Sequence, residues 1–289
     1  MQFLIYLIIY PILWIISILP FRVLYVFSDF VYFMTYHIIR YRKKTVRENL
    51  KLALPNLSEK EHLVIEKKFY SHMCDMFLEM IKTMSISEEE MDKRFEFTNL
   101  GLFKELESQQ KSISIMCGHY ASYEWVLSLN KYINFEGFAI YKRLANPYFD
   151  KLVRDIRSKF KATLITTKET IPTIESNYKI GKLGAFGFAS DQSPKVFPST
   201  YWSKFMGIET PIHTGAESLA KKFDMNIIFL RTKKIKRGYY QASFELLAED
   251  PKNVPDFEIT ETFLRLLEKQ IYEQPEYYLW THKRWKHKK

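Results

Sequence analysis

Cysteine and glycine are scarce in this sequence. Only two of its 289 residues are cysteines and nine are glycines. Cys74 and Cys117 belong to no CxxC pair and to no Cys/His series with zinc-ligand spacing, which argues against a disulfide scaffold and against a zinc site. The glycines form no GxGxxG, GxxxxGK(S/T) or GxSxG motif, so dinucleotide-binding, P-loop and serine-hydrolase functions have no support. We therefore expect neither a metal ion nor a cofactor.

Charged residues are absent from the first 19 positions, and only Arg22 and Asp29 carry charge in the apolar stretch that continues to Ile39. A helix of 19 residues is about 28 Å long, close to the hydrocarbon thickness of a bilayer. A secretory signal peptide is disfavoured, because the segment begins without a basic residue and no small-residue cleavage site follows it. We therefore predict that residues 1–39 form a hydrophobic membrane anchor.

Two forms of this anchor are compatible with the sequence. One is a helix that spans the membrane, and the other is a hairpin that lies in the interface, which Pro11 and Pro20 favour. Five basic residues follow at once: Arg40, Arg42, Lys43, Lys44 and Arg47. The positive-inside rule places such residues in the cytoplasm. No linker rich in Pro, Gly or Ser divides residues 40–289, so we expect one cytoplasmic domain there.

The whole chain is basic, with a net charge of +10. This charge suits an anionic partner such as nucleic acid, an anionic membrane, a phosphorylated lipid or an acidic protein. The tail from Lys283 to Lys289 mixes cations with Trp285. Beside an apolar N-terminal segment, we interpret this tail as a membrane-surface element rather than a nucleic-acid patch, because Trp settles at membrane interfaces. We expect a membrane and a lipid as partners and no nucleic acid.

The rest of the chain alternates between strand-like and helix-like segments. The predicted strands cover 112–116, 138–141, 162–166, 183–189, 226–231 and 240–247, and the predicted helices cover 59–84, 124–131, 146–159, 168–178 and 215–222. Such alternation is typical of an α/β sandwich, here a single domain with a largely parallel or mixed sheet flanked by helices. In such sheets ligands gather at the carboxyl ends of strands, where His119 and the turn that contains Asp191 and Gln192 both lie.

The most informative motif is His119 with Glu124 five positions later. Residues i and i+5 of one helix lie about 140° apart, so the two side chains cannot meet on a single straight helix. They can meet if a strand ends before them, Gly118 lets the chain turn, and Glu124 lies in the first turns of the following helix. The pair then predicts a general base with its orienting carboxylate, beside helix N–H groups that favour negative charge.

Several segments together resemble one family. They are 41–55, with its basic residues, Asn49-Leu50 and Pro55; His119-x4-Glu124; Tyr141 to Pro147 with Arg157; Gly181 with Asp191 to Pro194; Phe205 to Gly207 with Thr214 and Gly215; and Pro275 to Lys286. In this order they resemble the late acyltransferases of bacterial lipid A biosynthesis, of the lauroyl or myristoyl transferase type, within the lysophospholipid acyltransferase superfamily. The resemblance covers nearly the whole chain and implies that residues 40–289 are an acyltransferase domain.

The resemblance implies how the site works. His119 is expected to deprotonate a hydroxyl of a lipid A-type glycolipid precursor as it attacks an acyl thioester, carried by acyl carrier protein or coenzyme A. Glu124 is expected to orient His119. Backbone N–H groups near the turn, or Lys142 or Arg143, are expected to stabilise the oxyanion.

The substrate-binding side chains that the resemblance implies are Lys142, Arg143, Arg157, Asp191 and Gln192. The arginines and lysine suit phosphate groups, and Asp191 and Gln192 suit substrate hydroxyls. The implied location is the cytoplasmic face of a bacterial inner membrane.

The chain departs from the family at the expected substrate site. Lys142-Arg143 stands where the family has Arg-Pro, and Lys161 stands where it usually has Gly. Two alternatives therefore stay open: the same chemistry on an aminoacyl lipid or a lysophospholipid, and a catalytically silent lipid-binding protein of the same fold.

Overall fold

The computed structural model describes residues 2–289, which form ten α-helices and nine β-strands. The helices are α1 (Gln2–Ile18), α2 (Phe21–Phe33), α3 (Lys43–Ala53), α4 (Glu59–Lys82), α5 (Glu88–Arg94), α6 (Leu100–Ser108), α7 (Pro147–Arg157), α8 (Thr170–Lys179), α9 (Gly215–Phe223) and α10 (Glu258–Glu273). The strands are β1 (Phe95–Phe97), β2 (Ile113–Cys117), β3 (Glu136–Tyr141), β4 (Thr163–Thr166), β5 (Gly184–Ala189), β6 (Trp202–Phe205), β7 (Ile208–Pro211), β8 (Asn226–Lys236) and β9 (Tyr239–Ala248). A π-helix covers Met34–Ile39, and 3₁₀ helices cover Trp125–Lys131, Pro251–Asn253 and Pro275–Tyr277.

Seven strands form one mixed sheet in the order β1-β9-β8-β2-β5-β3-β4. The strands from β8 to β4 are parallel to one another, whereas β9 runs antiparallel to β8 and β1 runs parallel to β9. Helices flank this sheet, as the sequence predicts. The central strand β2 is apolar and buried along most of its length because neighbours pair with it on both sides.

The structure also contains strands that the sequence pattern did not predict. Strand β1 has three residues, and β6 and β7 have four each and form a separate hairpin. Strand β1 gives too few alternations for a period of two to be recognised, and β6 (WSKF) and β7 (IETP) each contain a charged residue that interrupts any apolar run. Strands β8 and β9 are longer than predicted and meet at Arg237-Gly238, where Gly238 adopts a φ of 74° that suits glycine in a tight turn.

The predicted membrane-anchoring helix is wrong. Among residues 2–289 no helix is both long enough and apolar enough to cross a bilayer. Helix α1 has 17 residues and ends at Ile18, two positions before Pro20, which lacks an N–H for continuing the helix. Met1, the first residue of the predicted anchor, lies outside the described residues. The proposed domain boundary between residues 39 and 40 stays a prediction.

Polar contacts fix the first two helices to the rest of the protein. Lys82 donates hydrogen bonds from Nζ to the carbonyls of Ser17 and Leu19, at 2.7 and 2.8 Å, and so caps the end of α1. On α2, Ser28 donates to the buried Asp75 of α4. The apolar N-terminal stretch is therefore divided into two short helices, both of which contact α4.

Candidate active site

The sheet brings two chain segments together at its carboxyl edge. Strands β2 and β5 are parallel neighbours, and their register pairs Cys117 with Ala189, the last residue of each strand. His119 lies two residues beyond the end of β2, and Asp191 lies two residues beyond the end of β5. Because paired parallel strands advance together, these two side chains emerge at the same level.

His119 and Asp191 form a direct hydrogen bond. The distance from His119 Nδ1 to Asp191 Oδ1 is 2.7 Å. An ionised carboxylate only accepts, so Nδ1 carries the proton and Nε2 is left with its lone pair. The Asp191 side chain is 1% exposed and that of His119 is 20% exposed. The carboxylate is therefore shielded from water, whereas one part of the imidazole is open to solvent.

The two groups shift each other's protonation. Burial lowers the pKa of His119, but the charge and hydrogen bond of Asp191 outweigh it, so the pKa lies above its usual value. Burial raises the pKa of the Asp191 carboxyl, and the charge and hydrogen bond of His119 together with backbone N–H groups bring it below its usual value. The pair therefore favours an ionised Asp191 beside an imidazole that binds a proton readily.

Glu124 does not make the contact that the sequence pattern predicted. Its carboxylate pairs with Arg157, with Oε2 at 2.8 Å from Nε and Oε1 at 2.5 Å from Nη2. The expectation of a direct His119–Glu124 pair is therefore wrong in geometry, because Asp191 occupies the Nδ1 side of the ring. Glu124 stays close enough for its charge to raise the pKa of His119.

The local backbone explains this outcome. The chain after β2 forms a turn in which the buried residue Ala121 adopts a φ of 49°, and the next helical element is a 3₁₀ helix that begins at Trp125. An α-helix with free N–H groups, which the sequence pattern predicted at this point, is not formed. A left-handed non-glycine residue is strained, and such strain is typical of functional sites.

Gly118 is needed for a different reason from the predicted one. Its φ lies outside the left-handed region, but a Cβ atom at this position would lie 2.6 Å from Cδ1 of the buried Leu267 on α10. Glycine therefore allows α10 to pack directly beneath the loop that carries His119.

The Gln192 side chain covers the imidazole. Its amide nitrogen lies 3.3 Å from Nε2 and 3.4 Å from Nδ1 of His119. An amide nitrogen that is almost equidistant from both ring nitrogens lies over the ring face, so it does not take up the in-plane lone pair of Nε2. The Tyr123 ring packs edge-to-face against His119 at 5.0 Å and completes the surroundings of the base.

A C-terminal segment, residues 277–282, forms the wall behind His119. Leu279 N–H donates to the His119 carbonyl at 3.1 Å, and Ala121 N–H donates to the Tyr277 carbonyl at 2.9 Å. His282 Nε2 accepts the Ser193 N–H at 3.2 Å and so holds the turn that carries Asp191. Burial lowers the pKa of His282 to about 4, so this imidazole stays neutral and keeps its acceptor.

Helix α3 in turn holds the C-terminal segment. Asn49 is buried and donates both amide protons, to the carbonyls of Trp280 at 2.8 Å and His282 at 2.7 Å. Arg42 donates from Nη1 to the Thr281 carbonyl at 3.0 Å. From the sequence, both segments were recognised only as parts of the family pattern, and His282 and Asn49 were given no role.

The predicted basic substrate-binding residues lie at the same edge of the sheet, on the side of β5 that faces away from β2. Lys142 and Arg143 directly follow β3, the other neighbour of β5, and both are exposed. Arg143 Nε lies 3.8 Å from Asp150 of α7. Arg157, the last residue of α7, reaches back to the His119 loop through Glu124. Two of the five predicted side chains, Asp191 and Gln192, therefore touch His119 itself.

The tail does not have the surface that its composition suggested. Arg284 and Trp285 are buried, at 1% and 4% exposed. Arg284 Nη1 donates to Thr210 and to the Pro211 carbonyl, and Trp285 Nε1 donates to the Phe205 carbonyl. Trp285 is therefore a core residue, and its interpretation as an interfacial tryptophan is wrong. Within residues 2–289 no group of three or more His, Cys, Asp or Glu side chains is arranged to hold a metal ion.

Comparison with known proteins now identifies the family. The family model described as bacterial lipid A biosynthesis acyltransferase matches residues 1–287. The chain belongs to this family. It is also similar to the lipid A biosynthesis lauroyltransferase of Escherichia coli (strain K12), with 22% identity over 282 residues, which cover 95% of this chain and 89% of the relative. The resemblance stated from the sequence is thus confirmed, the protein is an acyltransferase, and the hypothesis of a catalytically silent binder is set aside.

Proposed function

We propose that this acyltransferase moves a fatty acyl chain from an acyl thioester to a hydroxyl of a lipid A-type glycolipid precursor, with His119 as the general base. The observation that carries this proposal is the state of His119. A carboxylate holds Nδ1 at 2.7 Å, and Nε2 keeps its in-plane lone pair on an imidazole that is 20% exposed. An imidazole in this state is ready to take a proton from an alcohol.

The reaction needs no covalent enzyme intermediate. Nε2 of His119 takes the hydroxyl proton as the acceptor oxygen attacks the thioester carbonyl, which gives a tetrahedral oxyanion. The carbon–sulfur bond then breaks, and the leaving thiolate takes the proton from the imidazolium. The products are an acyl ester and a free thiol.

Three side chains are proposed to donate to the oxyanion. The Gln192 amide lies 3.3 Å from Nε2 of His119, beside the proposed position of the acceptor hydroxyl. Lys142 and Arg143 extend from the neighbouring strand end and carry permanent positive charge. Donors fixed before the reaction stabilise developing negative charge at little reorganisation cost.

The donor is proposed to be acyl carrier protein or acyl-coenzyme A, both of which are anionic. Basic side chains of α3 and the segment before it support this choice. His37, Arg40, Lys43, Lys44, Arg47 and Lys51 line one groove together with Glu48. Arg42 and Asn49 connect this basic surface to the wall behind His119. A carrier bound there is therefore proposed to contact the helix that holds the wall behind His119.

The proposed acceptor is a lipid of the lipid A type, because the related Escherichia coli enzyme is named for lipid A biosynthesis. The proposed location is the cytoplasmic face of a bacterial inner membrane, and this proposal rests on the basic residues that follow the apolar N-terminal stretch. Lys142-Arg143 and Lys161 differ from the family pattern at the acceptor side, and this favours an aminoacyl lipid or a lysophospholipid as the second candidate acceptor.

Lipid mass spectrometry on cells that lack the protein tests this proposal. Wild type should restore one acyl chain on one lipid class, and the mass gained identifies both acceptor and chain length. His119→Ala should restore little, because loss of a general base lowers turnover about 10² to 10⁴-fold. His287→Ala, an exposed histidine in the tail, is the matched control. Full complementation by a folded His119→Ala variant contradicts the assignment.

A further inference from the structure

We propose that Asp191 is the carboxylate that positions His119 for catalysis, and that Glu124 acts on the reaction mainly by holding Arg157, with only a weaker charge effect on His119. This inference rests on the proposed function of His119 as the base. The His-x4-acid spacing assigns the orientation of His119 to Glu124, whereas here Asp191 orients His119 and Glu124 holds Arg157. Asp191 then has a positioning role rather than a substrate-binding role.

The hydrogen bonds of the two carboxylates separate their tasks. Asp191 Oδ1 lies 2.7 Å from Nδ1 of His119 and fixes its tautomer. Both oxygens of Glu124 are engaged by the Arg157 guanidinium in a fork-like pair. Glu124 cannot turn towards His119 without breaking two charge-assisted hydrogen bonds.

The surroundings of the two carboxylates differ in the same sense. Asp191 follows the central strand β5, which pairs with β2 from Ala185 to its last residue, Ala189, so the ladder of the sheet sets its distance from His119. Glu124 follows a turn with a left-handed residue at Ala121 and lies just before a 3₁₀ helix. Asp191, whose position relative to His119 must be accurate to a few tenths of an ångström in a preorganised site, is thus carried by the more rigid element.

The Glu124–Arg157 pair ties the base to the acceptor side. Arg157 ends α7, and Asp150 near the start of α7 accepts hydrogen bonds from the Tyr141 hydroxyl and the Leu144 N–H. The pair therefore fixes α7, and with it the basic residues after β3, against the loop of His119. Its loss should weaken acceptor binding more than it slows proton transfer.

The test compares Asp191→Asn with Glu124→Gln in the purified full-length enzyme, by kcat and acceptor KM across pH. Asp191→Asn should lower kcat about 10³ to 10⁴-fold, as expected when the wrong imidazole tautomer forms. It should also move the acidic limb of the pH profile to lower pH, because the charge that raises the pKa of His119 is lost. Glu124→Gln should mainly raise acceptor KM, with a smaller shift of the limb.

A double mutant gives a second readout. Glu124→Gln combined with Arg157→Gln should be no worse than either single variant, because both remove the same contact. Glu217→Gln is the matched control for a buried carboxylate, since Glu217 bonds Phe257 and Thr260 at the start of α10. It should lose stability without moving the pH limb.

Nuclear magnetic resonance separates this inference from the proposed function. A low-field Nδ1–H resonance of His119 should persist in Glu124→Gln and vanish in Asp191→Asn, whatever the activity. If Glu124→Gln removes that resonance and lowers kcat more than Asp191→Asn does, the inference is overturned while His119 stays the base. If His119→Ala keeps full activity, the proposed function fails even when the resonance behaves as expected.

Discussion

Replacement of Asn49 should both destabilise the protein and disable the site, although this residue touches no reacting atom. Its two amide protons bond the carbonyls of Trp280 and His282, and its side chain is buried. In Asn49→Ala the Trp280 carbonyl loses its amide donor, which costs about 1–3 kcal/mol. The His282 carbonyl keeps the Arg284 N–H at 2.9 Å, so its lost bond costs only about 0.5–1.5 kcal/mol. We expect the free energy of unfolding to fall by about 2–4 kcal/mol in total. At about 2–4 °C per kcal/mol, the unfolding midpoint should drop by roughly 4–16 °C.

Activity should fall further than stability alone explains. The segment released by Asn49→Ala holds both the His119 carbonyl and the turn of Asp191, and a shift of about 1 Å in a catalytic group can cost about 100-fold in rate. Circular dichroism melts and turnover at a temperature where both proteins are folded measure the two effects. Asn49→Asp should be worse than alanine, since it places a carboxylate against two carbonyl oxygens. The exposed Asn253→Ala is the control. An unchanged midpoint in Asn49→Ala refutes this reasoning.

Two further predictions concern the core. Burial raises the pKa of Glu79 to about 7, above its usual value of about 4.3. The unfolded state therefore ionises first, and wild-type stability should fall as pH rises from about 4 to 7, by at most about 1.4 kcal/mol per pH unit from this group. Glu79→Gln should flatten that slope in urea titrations, and an unaltered slope counts against it. Gly118→Ala should destabilise by about 1–3 kcal/mol through overpacking against Leu267. Adding Leu267→Val should recover part of this loss in a double-mutant cycle, whereas strictly additive effects exclude the contact.

The sequence contained enough information for most of the sheet. Runs of apolar and β-branched residues identified six of the strands in the large sheet, because each is long enough to show its pattern. The order of the strands within the sheet could not be predicted from the sequence. Strand β5 lies between β2 and β3, although β3, α7, β4 and α8 separate β2 from β5 along the chain. Nothing local in the sequence specifies that insertion.

The N-terminal error has a similar origin. The composition of residues 1–39 shows that the stretch is apolar, but it does not show where a helix within that stretch ends. Pro20 follows the end of α1 by two residues, and Lys82, 62 positions later, caps the last carbonyls of α1. A contact between residues so far apart has no periodicity that a sequence pattern can show.

The site shows why a short motif is a weak guide to side-chain contacts. The interval from His119 to Glu124 fixes how far the chain travels between the end of β2 and the 3₁₀ helix. It does not require the two side chains to meet. His119 faces the end of β5 and bonds Asp191, while Glu124 faces the end of α7 and bonds Arg157. One loop therefore makes two separate connections, and the interval is needed for both to form at once. The register of the parallel strands, rather than the motif, supplies the carboxylate of the base.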